Sequence, residues 1–359
     1  MTTRRHVLAG AGAASALAIL PAAARTTRPA LVAGTYTARG GAGLYPIDPT
    51  TTGWQVAEPI GKLSDLSFGV SRGDKAYFVH ESAKGRLIAT DRAGGILADL
   101  PSGGDDPCHV AIDRAGRMLA VANYSSGTVA VYPLNRGGIP AAPAVRQQTG
   151  TGPNADRQAG PHAHWVGFTP DGRYLHAVDL GADAVFAYTM QGTTPSQPRL
   201  AWQAPAGSGP RHLARHPRLP VAYVVTELAN TLVTLDAKPD GSFTTRASQS
   251  LLPPGFTGAS AAAHLWIDRT GRRLYASNRG DDSIAVFALD AKGDARPIQH
   301  IPCGGHWPRF FLALEDARRF LVANERSGTV TVFAIEADGR LTVTPERLAI
   351  PGVVFLDLA

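Results

Sequence analysis

The sequence predicts an all-β fold: a seven-bladed β-propeller with four-stranded antiparallel blades. Three observations predict it. A pattern of three short strands recurs six times at a blade-like period. Glycine (39) and proline (27) are abundant, while charged residues are only 18% of 359, a composition suited to many tight turns. The two ends of the repeating region look like complementary parts of one further blade.

The chain opens with MTTRRHVLAGAGAASALAILPAAA, residues 1–24. A basic start, a mildly apolar middle and a small-residue end form the layout of a secretory signal. Arg4 and Arg5 after Thr3, followed by Val7 and Leu8, fit a twin-arginine export signal, with cleavage expected after Ala24. Residues 8–20 are too short to span a bilayer. Removing the signal takes away two arginines and no acids, so the formal charge falls from +6 to +4. With no basic run, nucleic acid is not an expected partner, nor is a membrane once the signal is gone. The expected location is periplasmic or secreted. Residues 25–30 read as a short linker and 31–359 as the propeller domain, with a monomer as the expected state.

LVAGTYTARGGAGLYPID (31–48) reads as a blade lacking its first strand. Six full copies follow, opening SFGVS (67), HVAID (109), HWVGF (164), HLARH (212), HLWID (264) and FFLAL (310), spaced 42, 55, 48, 52 and 46 residues apart. Each begins with a strand of about five residues and turns at sequences such as TPDGR or DRTGR. An alternating strand such as MLAVAN follows, then a turn such as SSGT and a third strand such as VAVY. Gly and Asn/Asp at these turns supply the positive φ that tight hairpins need. A variable fourth strand, as in PAVRQQT, fills the remainder, and four strands per copy is the blade signature. PGVVFLDL (351–358) reads as the missing first strand. N- and C-terminal strands then share one blade and close the ring.

The first strand of every blade lines the central channel, so the starts of these strands ring one mouth. Counting outward from each hairpin turn pairs His164 with Asp179, His212 with Glu227, His109 with Asn123, His264 with Asn278, Phe310 with Asn324 and Ser67 with Glu81. Asn123, Asn278 and Asn324 recur at one repeat position, where an Asx turn competes with a binding role. His109 and His264 also recur, and a blade-to-blade hydrogen bond competes there. Departures from the repeat point to a site: Arg157 with His162 and His164, the Arg211–His212 pair opposite Glu227, and Arg279 after Asn278. His306 and Arg309 precede the sixth copy at the same mouth, and Glu325 follows Asn324.

RQAGPHAHWVGFTPDGRYLHAVDLGADAVFAY (157–188), GPRH (209–212), TELAN (226–230) and SNRGDDSIAVF (277–287) resemble the seven-bladed propeller lactonases. That family is named for 6-phosphogluconolactonase and also contains fungal carboxy-muconate cycloisomerases. The resemblance spans nearly the whole chain after residue 30. It implies that His164, Arg211, Glu227 and Arg279 act in catalysis, and that Arg157, His162 and Asp179 occupy further motif positions. The phospho-sugar enzyme belongs in the cytosol, whereas this chain carries the layout of an export signal. The expected function is therefore an exported lactonase for a sugar lactone or related anionic lactone, without metal or cofactor.

Lactone hydrolysis needs an activated water, a stabilised oxyanion and a proton for the departing ring oxygen. His164, oriented by Asp179, is the expected base. Arg211 would stabilise developing negative charge. Glu227 would act as an acid only if burial raises its pKa; otherwise it orients Arg211. Arg279 and Arg157 would clamp an anionic group. Arg157, His162, Asp179, His212, Asn123 and Arg309 form the expected substrate-binding set. One alternative is a muconate-type cycloisomerase. Another is a calcium site drawn from Asn123, Asp179, Glu227 and Asn278. A third is a non-catalytic binding propeller, since LAVANYSSGTVAVY resembles YVTN-like surface-layer repeats. Whether Cys108 and Cys303 pair is left open, and neither has metal-site spacing. No G-x-S-x-G and no Gly-rich phosphate loop before a helix occurs.

Overall fold

The computed structural model describes residues 28–359; the export signal expected over 1–24 and the start of the linker lie outside the described residues. Six blades follow in chain order as antiparallel meanders, with inner strands Leu66–Arg72, Pro107–Ile112, Ala163–Phe168, Pro210–Arg215, Ala261–Ile267 and Pro308–Leu314. The seventh blade mixes the ends as expected: Val353–Leu358 lies innermost, followed by Leu31–Thr35, Tyr45–Pro49 and Trp54–Val56. Leu31 sits opposite Leu358 and Gly34 opposite Phe355. In the third blade the outer position is split, because Thr194–Pro195 and Arg199–Gln203 both pair with Ala184–Gln191. Among the described residues one 3₁₀ turn, Thr37–Arg39, follows the second strand of the seventh blade.

Burial follows radial position. The second strands Met118–Asn123 and Val221–Thr226 are buried at every residue, since both faces of each are covered by adjacent blades. The outer strand Phe243–Ser250 is mostly exposed. The apolar clusters bridge neighbours around the ring: Val131 and Tyr188 between the second and third blades, Val224 and Trp202 between the third and fourth, Phe333 and Tyr275 between the fifth and sixth. One cluster joins Leu348, Phe355, Leu31 and Phe78 across the closing seam. Tyrosines on second strands finish these interfaces. Tyr77, Tyr223 and Tyr275 each donate a hydroxyl to a glycine carbonyl of the next blade, Gly138, Gly293 and Gly339, as a buried phenol requires.

The seam is tight. A Cβ added to Gly34 would lie 2.0 Å from the Leu66 carbonyl oxygen of the first blade, a backbone atom that cannot rotate away. Gly34→Ala is expected to destabilise the protein by about 1–3 kcal/mol, seen as a lowered midpoint in thermal unfolding followed by circular dichroism.

Candidate active site

The site is built by one backbone device repeated around the axis. At the head of every inner strand the register skips, between Leu66 and Phe68, Pro107 and His109, Ala163 and Trp165, Pro210 and His212, Ala262 and Leu265, and Pro308 and Phe310, with Val354 the skipped residue of the seventh blade. These are β-bulges, which insert an unpaired residue and re-aim its side chain. The bulged residues include Ser67, Cys108, His164, Arg211 and Arg309. The backbone just before them is left-handed at Asp65, Asp106, Gly209, Trp307 and Gly352. The carbonyls of these five accept the N–H groups of Glu81, Tyr124, Glu227, Glu325 and Tyr36. That contact draws the first residue beyond each second strand to the same mouth.

One carboxylate organises one side of this mouth. Glu227 Oε2 lies 3.0 Å from Arg211 Nε and 2.7 Å from Arg279 Nη2, and Oε1 accepts from Arg157 Nη2 at 2.7 Å. The Arg211 contact is close enough for charge pairing but out of line for a hydrogen bond. Burial would raise the Glu227 pKa, but the charges of Arg279, Arg211 and Arg157, with His164 beside them, hold it well below the usual carboxylate range. Glu227 is therefore an anion that orients arginines, not a proton donor. Arg211 donates through Nη1 to the Ala263 carbonyl at 2.6 Å. Its Nη2 makes no hydrogen bond among the described residues. Burial and the Arg279 charge lower its pKa to about 9 against the pull of Glu227, so it stays charged at neutral pH. Arg279 also donates to the Ala261 and Ala262 carbonyls. Arg157 differs: its side chain is 40% exposed against 3% for Arg211, so it forms the accessible edge.

His164 faces this cluster from the neighbouring blade. Burial, then repulsion by Arg211, holds its pKa well below the usual imidazole value, with Glu227 opposing; the ring is neutral at working pH. The Cys108 thiol lies 3.6 Å from the Ala163 and His164 carbonyls and 3.8 Å from His164 Nδ1. The tautomer with its proton on Nδ1 would place that N–H toward the sulfur and leave Nε2 free to act as a base. Burial pushes the Cys108 thiol up, so it remains protonated. Both cysteines are unpaired and buried.

The bulge corrects several expected pairings by one residue. Ala163, not His164, sits opposite Asp179. Asp179 does not orient His164: its Oδ1 accepts the N–H groups of His162 and Ala182, each at 2.8 Å, and burial raises its pKa to about 6. Asn123 is likewise structural. Its amide donates to the Ser102 carbonyl and Thr128 Oγ1, as Asn278 does to the Leu251 carbonyl and Ser283 Oγ. Of the four residues expected to hold calcium, Asp179 commits Oδ1 to two loop N–H groups and Glu227 is gripped by guanidinium groups, while the Asn123 and Asn278 carbonyl oxygens accept no hydrogen bond among the described residues. Among the described residues no group of three or more His, Cys, Asp or Glu is placed to hold a metal ion. His162 stays at the wall, stacked on Tyr124 at 4.5 Å, with Nδ1 against the Tyr124 carbonyl. Arg309 lies on the far side of the mouth, 3.4 Å from Glu81 Oε2 and 5.2 Å over the Tyr36 ring, while Tyr36 donates its hydroxyl to the same Glu81 oxygen.

His212 belongs to the floor. The residues after the bulges are Phe68, His109, Trp165, His212, Phe310 and Phe355, and with His264, which lies inside the longer skip of the fifth blade, they supply seven rings. His109 lies 4.1 Å from Phe68 and 5.4 Å from His212; His264 lies 5.3 Å from His212 and 4.3 Å from Phe310. They plug the channel and make the mouth a blind pocket. Arg211 Nη1 donates to His212 Nε2 at 3.2 Å, so His212 Nδ1 carries the proton that meets His264 Nδ1 at 3.2 Å. A separate cavity of about 510 Å³ lies between the seventh and first blades, lined by Leu31, Phe78, Arg72 and Arg92 among others. It opens on the opposite face and takes none of these groups. Tyr36, Glu81 and Tyr124 join the site without having been expected as binding residues. Aligning Glu227 with Glu81 and Glu325 in the repeat is the signal that finds them.

A closed seven-bladed ring with carboxylate, imidazole and guanidinium groups gathered at one blind mouth defines a propeller with an enzyme-like polar pocket. Residues 30–357 match the family model described as lactonase, 7-bladed beta-propeller, and the chain belongs to that family. A 6-phosphogluconolactonase of Bacillus subtilis (strain 168) is 34% identical over 333 residues, 89% of this chain and 95% of the relative. The structure of a periplasmic gluconolactonase from Pseudomonas aeruginosa superposes with a TM-score of 0.84 at 29% identity, covering 92% of this chain and 99% of that one. A putative 6-phosphogluconolactonase from Bacteroides uniformis gives 0.82 at 29% identity, with the same coverage.

Glu227→Gln keeps the shape and removes the charge that gathers three arginines. A fall in kcat/KM of about 100-fold is expected, the scale of a misplaced catalytic group, and steady-state kinetics would check it. The buried imidazoles also set an acid limit. Burial lowers the pKa of His109, His164, His176, His212 and His264, to about 3 for His176 and His264. Below about pH 6.5 the unfolded chain binds protons at these five that the folded chain refuses, and stability falls. Asp179 and Asp357, both raised to about 6 by burial, act oppositely between roughly pH 6 and 4. Unfolding near pH 5 should therefore take up about three protons, five imidazoles against two carboxyls, measurable from the pH dependence of the urea midpoint.

Proposed function

We propose that this protein is an exported lactonase that hydrolyses a sugar lactone or related anionic lactone at the blind mouth, without metal. The observation that carries the reading is the convergence of neutral His164 with Arg211, whose free Nη2 lies beside a guanidinium cluster ordered by Glu227. Water held at His164 Nε2 attacks the lactone carbonyl carbon as its proton passes to Nε2. The carbonyl oxygen takes the electron pair and is met by the Arg211 guanidinium. The ring C–O bond then breaks, and the imidazolium returns the proton to the departing oxygen. The product is an open-chain hydroxy acid. Glu227 lies close enough to offset the transient imidazolium charge, and exposed Arg157 meets the new carboxylate.

Export is supported by the Arg4–Arg5 leader and by likeness to a periplasmic gluconolactonase. An unphosphorylated lactone follows from export, since phosphorylated sugars are made inside the cell. A small-molecule lactone is the only partner this reading requires, with a monomer as the working unit.

A pH-indicator screen of mature protein against phosphorylated and unphosphorylated sugar lactones tests the function. His164→Ala should lower kcat by about 10²–10⁴-fold and Arg211→Ala by about 10²–10³-fold. Because protonation of His164 is displaced far down, wild-type kcat/KM should show no acid limb at the ordinary imidazole value near pH 6.5. A limb there would remove His164 as the base.

A further inference from the structure

Trp307 stands where the fold asks for a small residue. Its φ of 68° places a bulky aromatic in the left-handed region, which such residues adopt only at a cost. Asp65, Asp106, Gly209 and Gly352 hold the same position before their inner strands with the same left-handed backbone. The conformation has a cause that does not involve the indole. Asp282 Oδ1 accepts the Trp307 N–H at 2.8 Å, as Asp183 Oδ1 accepts the Gly209 N–H at 2.7 Å in the earlier blade. The Trp307 carbonyl accepts the Glu325 N–H at 3.0 Å, as the Gly209 carbonyl accepts that of Glu227 at 2.6 Å. Glycine satisfies this device at 209, so folding gives no reason for tryptophan at 307.

The indole instead holds two cations. The guanidinium carbon of Arg279 lies 5.5 Å from its ring centre and that of exposed Arg326 lies 3.4 Å away. A π-face attracts both and eases their mutual repulsion. Arg279 is one of the groups that grips Glu227 Oε2, and the same oxygen pairs with Arg211. We propose that Trp307 is a positioning residue: it fixes the Arg279 guanidinium so that Glu227, and through it Arg211, keeps the orientation the oxyanion requires. This rests on the mouth being the lactone site.

The test compares full-length wild type, Trp307→Gly and Trp307→Phe for kcat and KM on the best lactone of the screen and for thermal midpoint. Positioning predicts a Trp307→Gly midpoint at or above wild type, because strain is released. Its kcat should be about 10- to 100-fold lower with KM within about twofold, and Trp307→Phe should recover most of kcat through its own π-face. A Trp307→Gly protein with wild-type kcat overturns the inference. So does one whose midpoint falls along with kcat, since the indole would then serve the fold. Wild type inert toward every lactone overturns both this inference and the functional reading beneath it, and is told apart from the other failures by the inactivity of the unmutated protein.

Discussion

The chemistry at the mouth depends on an extra residue at the head of each inner strand. A regular antiparallel strand sends alternate side chains to opposite faces, so a regular inner strand would bury half of these positions between blades. The bulge leaves one residue unpaired and free to face the axis. Cys108, His164, Arg211 and Arg309 reach the pocket this way, from four different blades. The left-handed residue just before the bulge is part of the same device, because its carbonyl ties down the residue that follows the second strand. Most blades thus offer the mouth two tethered side chains while the scaffold stays constant.

Electrostatics then divides the mouth. On one side three guanidinium groups share one carboxylate, leaving positive charge in excess. On the other, Arg309 meets Glu81, and Arg39 lies 3.4 Å from Glu325, so charges balance. Developing negative charge is favoured on the first side only. Burial, reinforced by this excess, keeps His164 neutral, which couples its capacity as a base to the arginine cluster. Beneath them the imidazole and phenyl rings exclude water, so these charges act in a medium that screens them weakly.

The ring architecture was legible because it is written as periodicity: turn chemistry and alternation repeat in every blade, and the terminal half-blades complement each other. Much of the mouth was also legible, since Arg157, His164, Arg211, Glu227 and Arg279 break the repeat and do converge. The errors have one cause. Aligning copies by letter placed His164 with His109 and His212, whereas by hydrogen-bond register it matches Cys108 and Arg211, and Trp165 matches His109. A bulge shifts every neighbour beyond it by one. That shift moved Asp179 and Asn123 out of the pocket, sent His212 to the floor and hid Tyr36 and Tyr124. No local letter pattern announces a bulge in a strand this short. Trp307 was unreadable for a related reason, because its unusual backbone is imposed by Asp282 from the preceding blade.

The ring-stacked floor leaves the pocket with a single doorway. Whatever enters must back out the way it came, so under the proposed reaction occupancy is sequential: no fresh ring is admitted while a cleaved chain remains inside. In the proposed hydrolysis, cleavage also changes the passenger's electrical character, turning an ester into an acid that ionises among surplus cations. Departure then becomes a tug against the groups that favoured arrival of charge in the first place, with the half-exposed Arg157 as the last hand to let go.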